Sequence, residues 1–187
     1  MSRSLVDPSG DALQAKARRI RVAVFDVDGV MTDGTIYLTD SGEQMKGFNA
    51  RDGLGIRLLQ ESGVRTAILT GRQSQCVELR ARELRMAHVM QGVTDKAAGM
   101  RDLLLALDVA QDQVSYMGDD LADVPAMRRC GLAVTVPEAS EIVRGQADLV
   151  TKAFGGRGAV REFCEFLMTA QGTWEARTAH FLGSVSS

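Results

Sequence analysis

The chain has 187 residues and a mass of 20.2 kDa, which suits one folded domain with short extensions. Hydrophobic residues make up 45% and charged residues 25%, a balance that excludes a disordered or collagen-like chain. The net charge of −2 excludes broad electrostatic attraction to nucleic acid or to an anionic membrane. Apolar runs such as Val22 to Phe25 are far shorter than the roughly 20 residues of a membrane span.

The first segment, residues 1–19, is polar and is expected to be a partly disordered leader with weak helical character near its end. It has no apolar stretch of the kind that a secretory signal requires. The three cysteines have no metal-ligand spacing and are expected to be reduced, mostly buried thiols of a cytoplasmic protein. The two histidines have no catalytic residues in a recognisable arrangement around them in the sequence, so a histidine-centred triad or zinc site is not expected.

From residue 20 onwards, short runs rich in Val and Ile alternate with segments of helical period, a pattern typical of a parallel sheet covered by helices. The predicted strands are 21–26, 65–70, 88–91, 114–118, 132–136 and 148–150. The predicted helices are 52–62, 74–84, 96–107, 121–129, 140–144 and 158–170. This order predicts a doubly wound, mainly parallel α/β core over residues 20–171, followed by a loose tail at 172–187.

One interval, residues 35–48, breaks the alternation and predicts a β-hairpin around the turn-forming sequence Asp40-Ser41-Gly42. It is too short to be a domain of its own. Ile36 and Leu38 alternate with polar residues, leaving an apolar face that a monomer would expose to solvent. The hairpin therefore favours an oligomer.

The strongest chemical signal is the sequence DVDG directly after the first predicted strand. Side chains two residues apart on a strand point the same way, so Asp26 and Asp28 should project together at its carboxyl end. Two such carboxylates would repel one another, which indicates either a bound divalent metal or a nucleophile paired with a general acid. The alternative is a solvated turn, since Asp and Gly both favour turns.

Matching groups follow three later strands or begin the next helix. Thr70 and Gly71, with Arg72 beside them, offer a hydroxyl and backbone amides that can bind phosphate oxygens, and Lys96 would neutralise the same phosphate. Lys96 alone would more often be a solvated surface residue. The sequence GDDLAD supplies three more carboxylates, which could instead cap a helix; they are Asp119, Asp120 and Asp123.

The ordered set DVDG, TGR, Lys96 and GDDLAD resembles the haloacid dehalogenase superfamily of aspartyl-phosphate hydrolases. The resemblance implies that Asp26 is the nucleophile and that Asp28 protonates the leaving oxygen and then activates water. Thr70 and Lys96 would stabilise the transferring phosphoryl group. Because a second carboxyl group beside the nucleophile suits the departure of an alcohol, hydrolysis of a phosphate ester is favoured over dehalogenation.

The same resemblance implies a Mg²⁺ cofactor. Asp26 and Asp119 would bind it through their carboxylates and Asp28 through its backbone carbonyl. Asp120 and Asp123 would support the ion from outside or through water.

Within this superfamily, the sequence from DVDGVMTDG to GIRLL, together with GGRGAVRE near the C-terminus, resembles the 3-deoxy-D-manno-octulosonate 8-phosphate phosphatases. This resemblance implies a Mg²⁺-dependent homotetramer that acts in lipopolysaccharide precursor synthesis. Neighbouring hairpins would associate, and the C-terminal segment would close over an adjacent site. A keto-acid sugar phosphate also carries a carboxylate, for which further cations are needed; the candidates are Arg51, Arg72, Arg80 and Arg157.

The residues are also compatible with three other functions. A phosphatase for a related nonulosonate 9-phosphate would have the same motifs, since the length of the sugar cannot be read from them. A receiver-like signalling domain also uses clustered aspartates with Thr, Lys and Mg²⁺, but it has no use for an acid two residues from its acceptor. A structural assembly domain could keep a dormant site.

Overall fold

A computed structural model describes residues 8–42 and 44–183 of the chain. Its main feature is a parallel sheet of six strands in the order β5, β4, β1, β6, β7, β8. The strands are β1 (Val22–Phe25), β4 (Arg65–Leu69), β5 (His88–Met90), β6 (Val114–Met117), β7 (Leu132–Thr135) and β8 (Leu149–Val150). The predicted α/β class and all six predicted strands are confirmed.

Helices cover the sheet in groups. Helix α2 packs against α7, which also contacts α1, whereas α4 packs against α5. Every residue of β1 is buried, as expected for a central strand that is covered on both faces. The helices are α1 (Pro8–Arg19), α2 (Ala50–Glu61), α3 (Gln75–Glu83), α4 (Lys96–Leu107), α5 (Val124–Met127), α6 (Glu141–Arg144), α7 (Ala159–Ala170) and α8 (Trp174–Thr178).

The register of the sheet determines where the motifs meet. Phe25 at the end of β1 lies opposite Ile68 on one side and Met117 on the other. The chain leaves each of these strands at the same edge, so Asp26, Thr70 and the loop after Gly118 come together there. Carboxyl ends of parallel strands form the usual ligand-binding edge of such sheets.

The predicted hairpin is present, with short antiparallel strands β2 (Tyr37–Leu38) and β3 (Gln44–Met45). Its apolar side chains are exposed, with Leu38 at 65% and Met45 at 64%. The hairpin lies in the connection between β1 and α2, which within the described residues carries this small flap and no further domain.

The ends of the described chain are more ordered than a leader and a loose tail would be. Helix α1 buries Ala17, and Gln171 donates hydrogen bonds to the carbonyls of Ala17 and Ile20 at 3.0 and 2.9 Å. Beyond it, Trp174 opens α8 and lies 5.6 Å from the Arg161 guanidinium. These contacts explain the difference from the expected tail; residues 1–7 and 184–187 lie outside the described part. Within the described ranges, no helix has the length and apolar character that a membrane span needs.

Candidate active site

Three carboxylates converge at the carboxyl edge of the sheet. Asp26 follows β1, while Asp119 and Asp123 belong to the loop after β6, and their oxygens lie within 4.8 Å of one another. Asp26 and Asp123 are buried, and Asp119 is half-buried. The structure therefore concentrates negative charge where the sequence predicts a site.

Lys96, the first residue of α4, lies between two of these carboxylates. Its Nζ is 2.9 Å from Oδ2 of Asp26 and also pairs with Oδ1 of Asp123. Burial alone would lower the pKa of Lys96, but the two carboxylates outweigh it and raise that pKa above its ordinary value. The pKa of Asp26 is raised as well, first by burial and then by Asp123, because one lysine cannot compensate two buried carboxylates.

Asp123 has protein partners on both oxygens. Oδ1 accepts the hydroxyl hydrogen of Tyr116 at 2.6 Å, in addition to its pairing with Lys96. Oδ2 accepts the backbone N–H groups of Asp119 and Asp120 at 2.9 and 3.0 Å. Asp123 therefore holds the loop and pairs with Lys96 through contacts within the protein.

The loop after β1 fits closely against its neighbours. Gly29 has a φ of +83°, and a Cβ atom there would lie 2.0 Å from Oδ2 of Asp119. Gly155, from the C-terminal GGRG sequence, approaches from the other side: a Cβ atom on it would lie 1.8 Å from the Gly29 carbonyl oxygen. Gly156 also donates its N–H to the Val30 carbonyl at 2.9 Å. Only glycine allows these approaches, so the GGRG sequence buttresses the site in this structure.

Asp28 points to a different pair of cations. Its Oδ1 pairs with Lys46 from the hairpin, and its Oδ2 lies 3.8 Å from Nε of Arg72. Asp28 is partly exposed, whereas Asp26 is buried. The two carboxyl groups thus occupy distinct environments, which suits distinct roles.

These side chains surround an open cavity of about 290 Å³. It brings together nine of the predicted site residues: Asp26, Asp28, Thr70, Gly71, Arg72, Lys96, Asp119, Asp120 and Asp123. Motifs that are spread over about half the chain therefore form one site.

The residues fit a divalent cation. Oδ1 of Asp26 is buried and accepts no hydrogen bond within the described structure. The pKa of Asp119 is raised to about 7 by burial and by the neighbouring carboxylates of Asp123 and Asp26. A buried acceptor without a donor and a repelling carboxylate cluster are both stabilised by a hard cation, and carboxylate oxygens are the ligands that Mg²⁺ prefers.

Comparison with known proteins agrees with this site. The family model for haloacid dehalogenase-like hydrolases matches residues 75–160. A 3-deoxy-D-manno-octulosonate 8-phosphate phosphatase of Escherichia coli K12 is 48% identical over 158 residues, which cover 84% of both chains. The chain belongs to the 3-deoxy-D-manno-octulosonate 8-phosphate phosphatase family.

Solved structures of this phosphatase family superpose closely. The Moraxella catarrhalis enzyme, crystallised with magnesium, phosphate and 3-deoxy-D-manno-octulosonate, has a TM-score of 0.89 and 39% identity, covering 91% of this chain and 98% of its own. The Yersinia pestis enzyme has a TM-score of 0.86 and 45% identity, covering 88% of this chain and 89% of its own. The fold of the family is therefore the fold of this chain.

The remaining predicted arginines lie away from the cavity. Arg80 stacks 5.8 Å from the centre of the Phe48 ring and pairs with Glu83 at 2.7 Å. Arg51 donates to the backbone carbonyl of Arg157 at 3.4 Å, and the Arg157 side chain is exposed. Within one chain, only Arg72 of the four reaches the cavity.

Sequence reasoning missed two residues whose side chains contact predicted site residues. Tyr116 is an interior residue of an apolar strand and reads as core, but its hydroxyl supports Asp123. Lys46 reads as a polar residue of the hairpin, but it reaches Asp28 across 18 positions of sequence. The one signal in the sequence for Lys46 was that a charged residue stands within the second predicted strand of the hairpin.

Proposed function

We propose that this protein hydrolyses 3-deoxy-D-manno-octulosonate 8-phosphate to the free sugar acid and phosphate, and that it supplies lipopolysaccharide precursor synthesis. The observation that carries the proposal is the cluster of buried Asp26 and Lys96 with half-buried Asp119, beside Asp28, in a chain of this phosphatase family. A cluster of this composition holds a phosphate ester between a carboxylate nucleophile and a second carboxyl group.

In the first step, an oxygen of Asp26 forms a bond to phosphorus and the bond between phosphorus and the sugar oxygen breaks. Asp28 gives its proton to that departing oxygen, so the sugar leaves as a neutral alcohol. Lys96, held against Asp26 at 2.9 Å, neutralises charge on the phosphoryl group and orients the nucleophile. Thr70 and the amide of Gly71 bind phosphoryl oxygens.

In the second step, Asp28 takes a proton from a water molecule. The water oxygen attacks phosphorus, the bond between phosphorus and Asp26 breaks, and phosphate leaves. Both steps therefore use the same two aspartates, with Asp28 returning to its protonated form. The partial exposure of Asp28 gives it access to water at this stage.

Asp26 and Asp119 are proposed to hold Mg²⁺ through their carboxylates, with the backbone carbonyl of Asp28 as a further ligand and Asp120 nearby. The ion would supply positive charge that offsets the phosphate and the carboxylate cluster. Asp123 is already bound to four protein donors and is proposed to act by supporting Lys96 and the loop.

We further propose a homotetramer in the cytoplasm. The exposed apolar side chains of the hairpin support assembly, and the cavity is open to solvent, so that a neighbouring subunit would add contacts to the sugar acid. Assembly would also give Arg51, Arg80 and Arg157 an opportunity to contact the substrate of a neighbour. The three cysteines are unpaired, which supports a reducing compartment.

The test is phosphate release from a panel of esters, measured with Mg²⁺ and with chelator. We expect the octulosonate 8-phosphate to have the highest kcat/KM, and we expect chelation to abolish release. A preference for a nonulosonate 9-phosphate would keep the mechanism and change the substrate. No release from any ester by the folded, Mg²⁺-loaded protein would contradict the proposal and favour a signalling or assembly role.

Asp26→Asn provides the matched variant, since it removes the nucleophile with almost no change in volume. We expect it to lose turnover while its folding is retained. Turnover at the wild-type rate would contradict the role of Asp26.

A further inference from the structure

Lys46 is the unusual residue of the hairpin. Its neighbour Met45 is 64% exposed, but the Lys46 side chain is only 4% exposed. Lysine is seldom buried to this extent, because burial removes the hydration of its charge and the freedom of a long side chain. A buried lysine therefore needs a specific partner, and here that partner is Asp28.

Two cations lie beside the Asp28 carboxyl group, and they differ in their distance from it and in their exposure to solvent. Lys46 pairs with Oδ1 of Asp28, while Arg72 lies 3.8 Å from Oδ2 and its side chain is 48% exposed. The lysine is the closer and the better shielded of the two cations. A shielded pair of this kind restricts the rotation of a carboxyl group more than an exposed pair does, since water and salt screen it less.

We propose that Lys46 is a positioning residue for Asp28. It holds the carboxyl group toward the cavity at the orientation from which Asp28 protonates the departing sugar oxygen. The hairpin thereby takes part in catalysis through one side chain. This inference rests on the proposed function of Asp28.

The test is Lys46→Met, which keeps the length of the side chain and removes its charge and donors. The readout is kcat/KM for two substrates, an alkyl ester (the octulosonate 8-phosphate) and an activated aryl ester (p-nitrophenyl phosphate). Because kcat/KM covers only the steps up to release of the alcohol, it isolates protonation of the leaving group from later hydrolysis. The aryl oxygen leaves without a proton and does not need Asp28 in place.

We expect Lys46→Met to lower kcat/KM for the sugar ester by about 10- to 100-fold, because a misplaced general acid reduces the rate by a factor of this order. The value of kcat/KM for the aryl ester should change by less than about threefold, because its leaving oxygen needs no proton from Asp28. Lys46→Arg should recover most of the loss, since a guanidinium also donates to a carboxylate. Equal losses for both esters, or no loss for either, would overturn the proposal.

Lys16→Met is the matched control, because it removes another lysine paired with an aspartate, Asp148, at the opposite edge of the sheet. It should leave both kinetic values unchanged. Thermal unfolding and sedimentation of each variant show whether it folds and assembles. If Lys46→Met does not fold, Lys46→Gln replaces it under the same criterion.

Failure of the proposed substrate is distinguishable from failure of this inference. If the wild-type protein prefers another alkyl phosphate, that ester takes the place of the octulosonate and the comparison with the aryl ester is unchanged. The loss that is selective for alkyl esters remains the deciding result.

Discussion

At the residue scale, the carboxylates of the site differ in how many positively charged side chains lie beside them. Lys96 serves two carboxylates, Lys46 and Arg72 lie beside Asp28, and Asp119 has excess negative charge around it. In the proposed mechanism, this distribution separates the nucleophile, which is paired with a buried lysine, from the more exposed carboxyl group that transfers the proton. It also leaves one position where a proton and a metal ion compete.

That competition predicts how Mg²⁺ affinity depends on pH. The pKa of Asp119 is raised to about 7 in the absence of metal, so at lower pH the ion must displace a proton, whereas above it the carboxylate is already free. We expect the Mg²⁺ affinity to fall by up to about tenfold for each pH unit below 7 and to level off above pH 8. Calorimetry in buffers of different ionisation enthalpy should detect proton release at pH 6 and little at pH 8.

Asp119→Asn is the control for this measurement. It should bind Mg²⁺ weakly at all pH values, because the titrating ligand is gone. A wild-type affinity that is constant between pH 5.5 and 8 would contradict the assignment of Asp119 as the group that titrates.

At the element scale, all six predicted strands and most of the predicted helices agree with the structure, because these elements have strong local signals. The helix predicted at 96–107 has the observed bounds, since Asp95 caps its first turn and Lys96 begins it. The helix predicted at 121–129 is instead a 3₁₀ turn at Leu121–Asp123 followed by α5. Asp123 is drawn into hydrogen bonds with two loop amides and Tyr116, a tertiary effect that periodicity does not contain.

The cavity residues were predictable for the same local reason, whereas their partners were not. DVDG and GDDLAD are contiguous motifs at strand ends, so their meeting follows from a parallel sheet. The contact of Gly155 with Gly29, and that of Lys46 with Asp28, join segments far apart in sequence. The spacing of residues along the sequence does not predict such contacts.

The contact between the GGRG sequence and the loop after β1 leads to a second prediction. In Gly155→Ala the added Cβ atom would meet the Gly29 carbonyl oxygen at 1.8 Å, and neither backbone can yield without moving the loop that carries Asp28. We expect a loss of about 1–3 kcal/mol in the free energy of unfolding, as for other overpacked sites. We also expect a fall in kcat/KM, since displacement of the site weakens catalysis. Urea unfolding and phosphatase assays measure the two effects.

Gly10→Ala is the matched control, because a Cβ atom on Gly10 would meet nothing within 4 Å. Gly10 lies in α1, where alanine is the better helix former, so stability should be unchanged or slightly higher. If Gly155→Ala were as stable and active as the wild type, the C-terminal sequence would not buttress the site.

At the scale of the whole molecule, one chain brings together the residues proposed for phosphoryl transfer, but it does not bring together those proposed to bind the sugar acid. Nine predicted residues line one open cavity, but three of the four arginines proposed for the sugar acid lie outside it. Small phosphatases without a cap must exclude water and bind the sugar by other means. A second copy of the chain, docked through the hairpin, is the simplest source of the missing surface.

This leads to a prediction for Leu38, which is 65% exposed at the hairpin. If the hairpin forms the interface of the proposed tetramer, a charge there is strongly unfavourable, so Leu38→Asp should shift the protein from that tetramer to smaller species in sedimentation velocity. Its kcat/KM for the sugar ester should fall more than that for p-nitrophenyl phosphate, because the aryl ester needs only the chemistry within one chain. Leu105→Asp is the control, since Leu105 is 80% exposed on α4, away from the hairpin, and should leave assembly intact. A wild-type protein that sediments as a monomer with full activity toward the sugar ester would show that one chain binds its substrate alone.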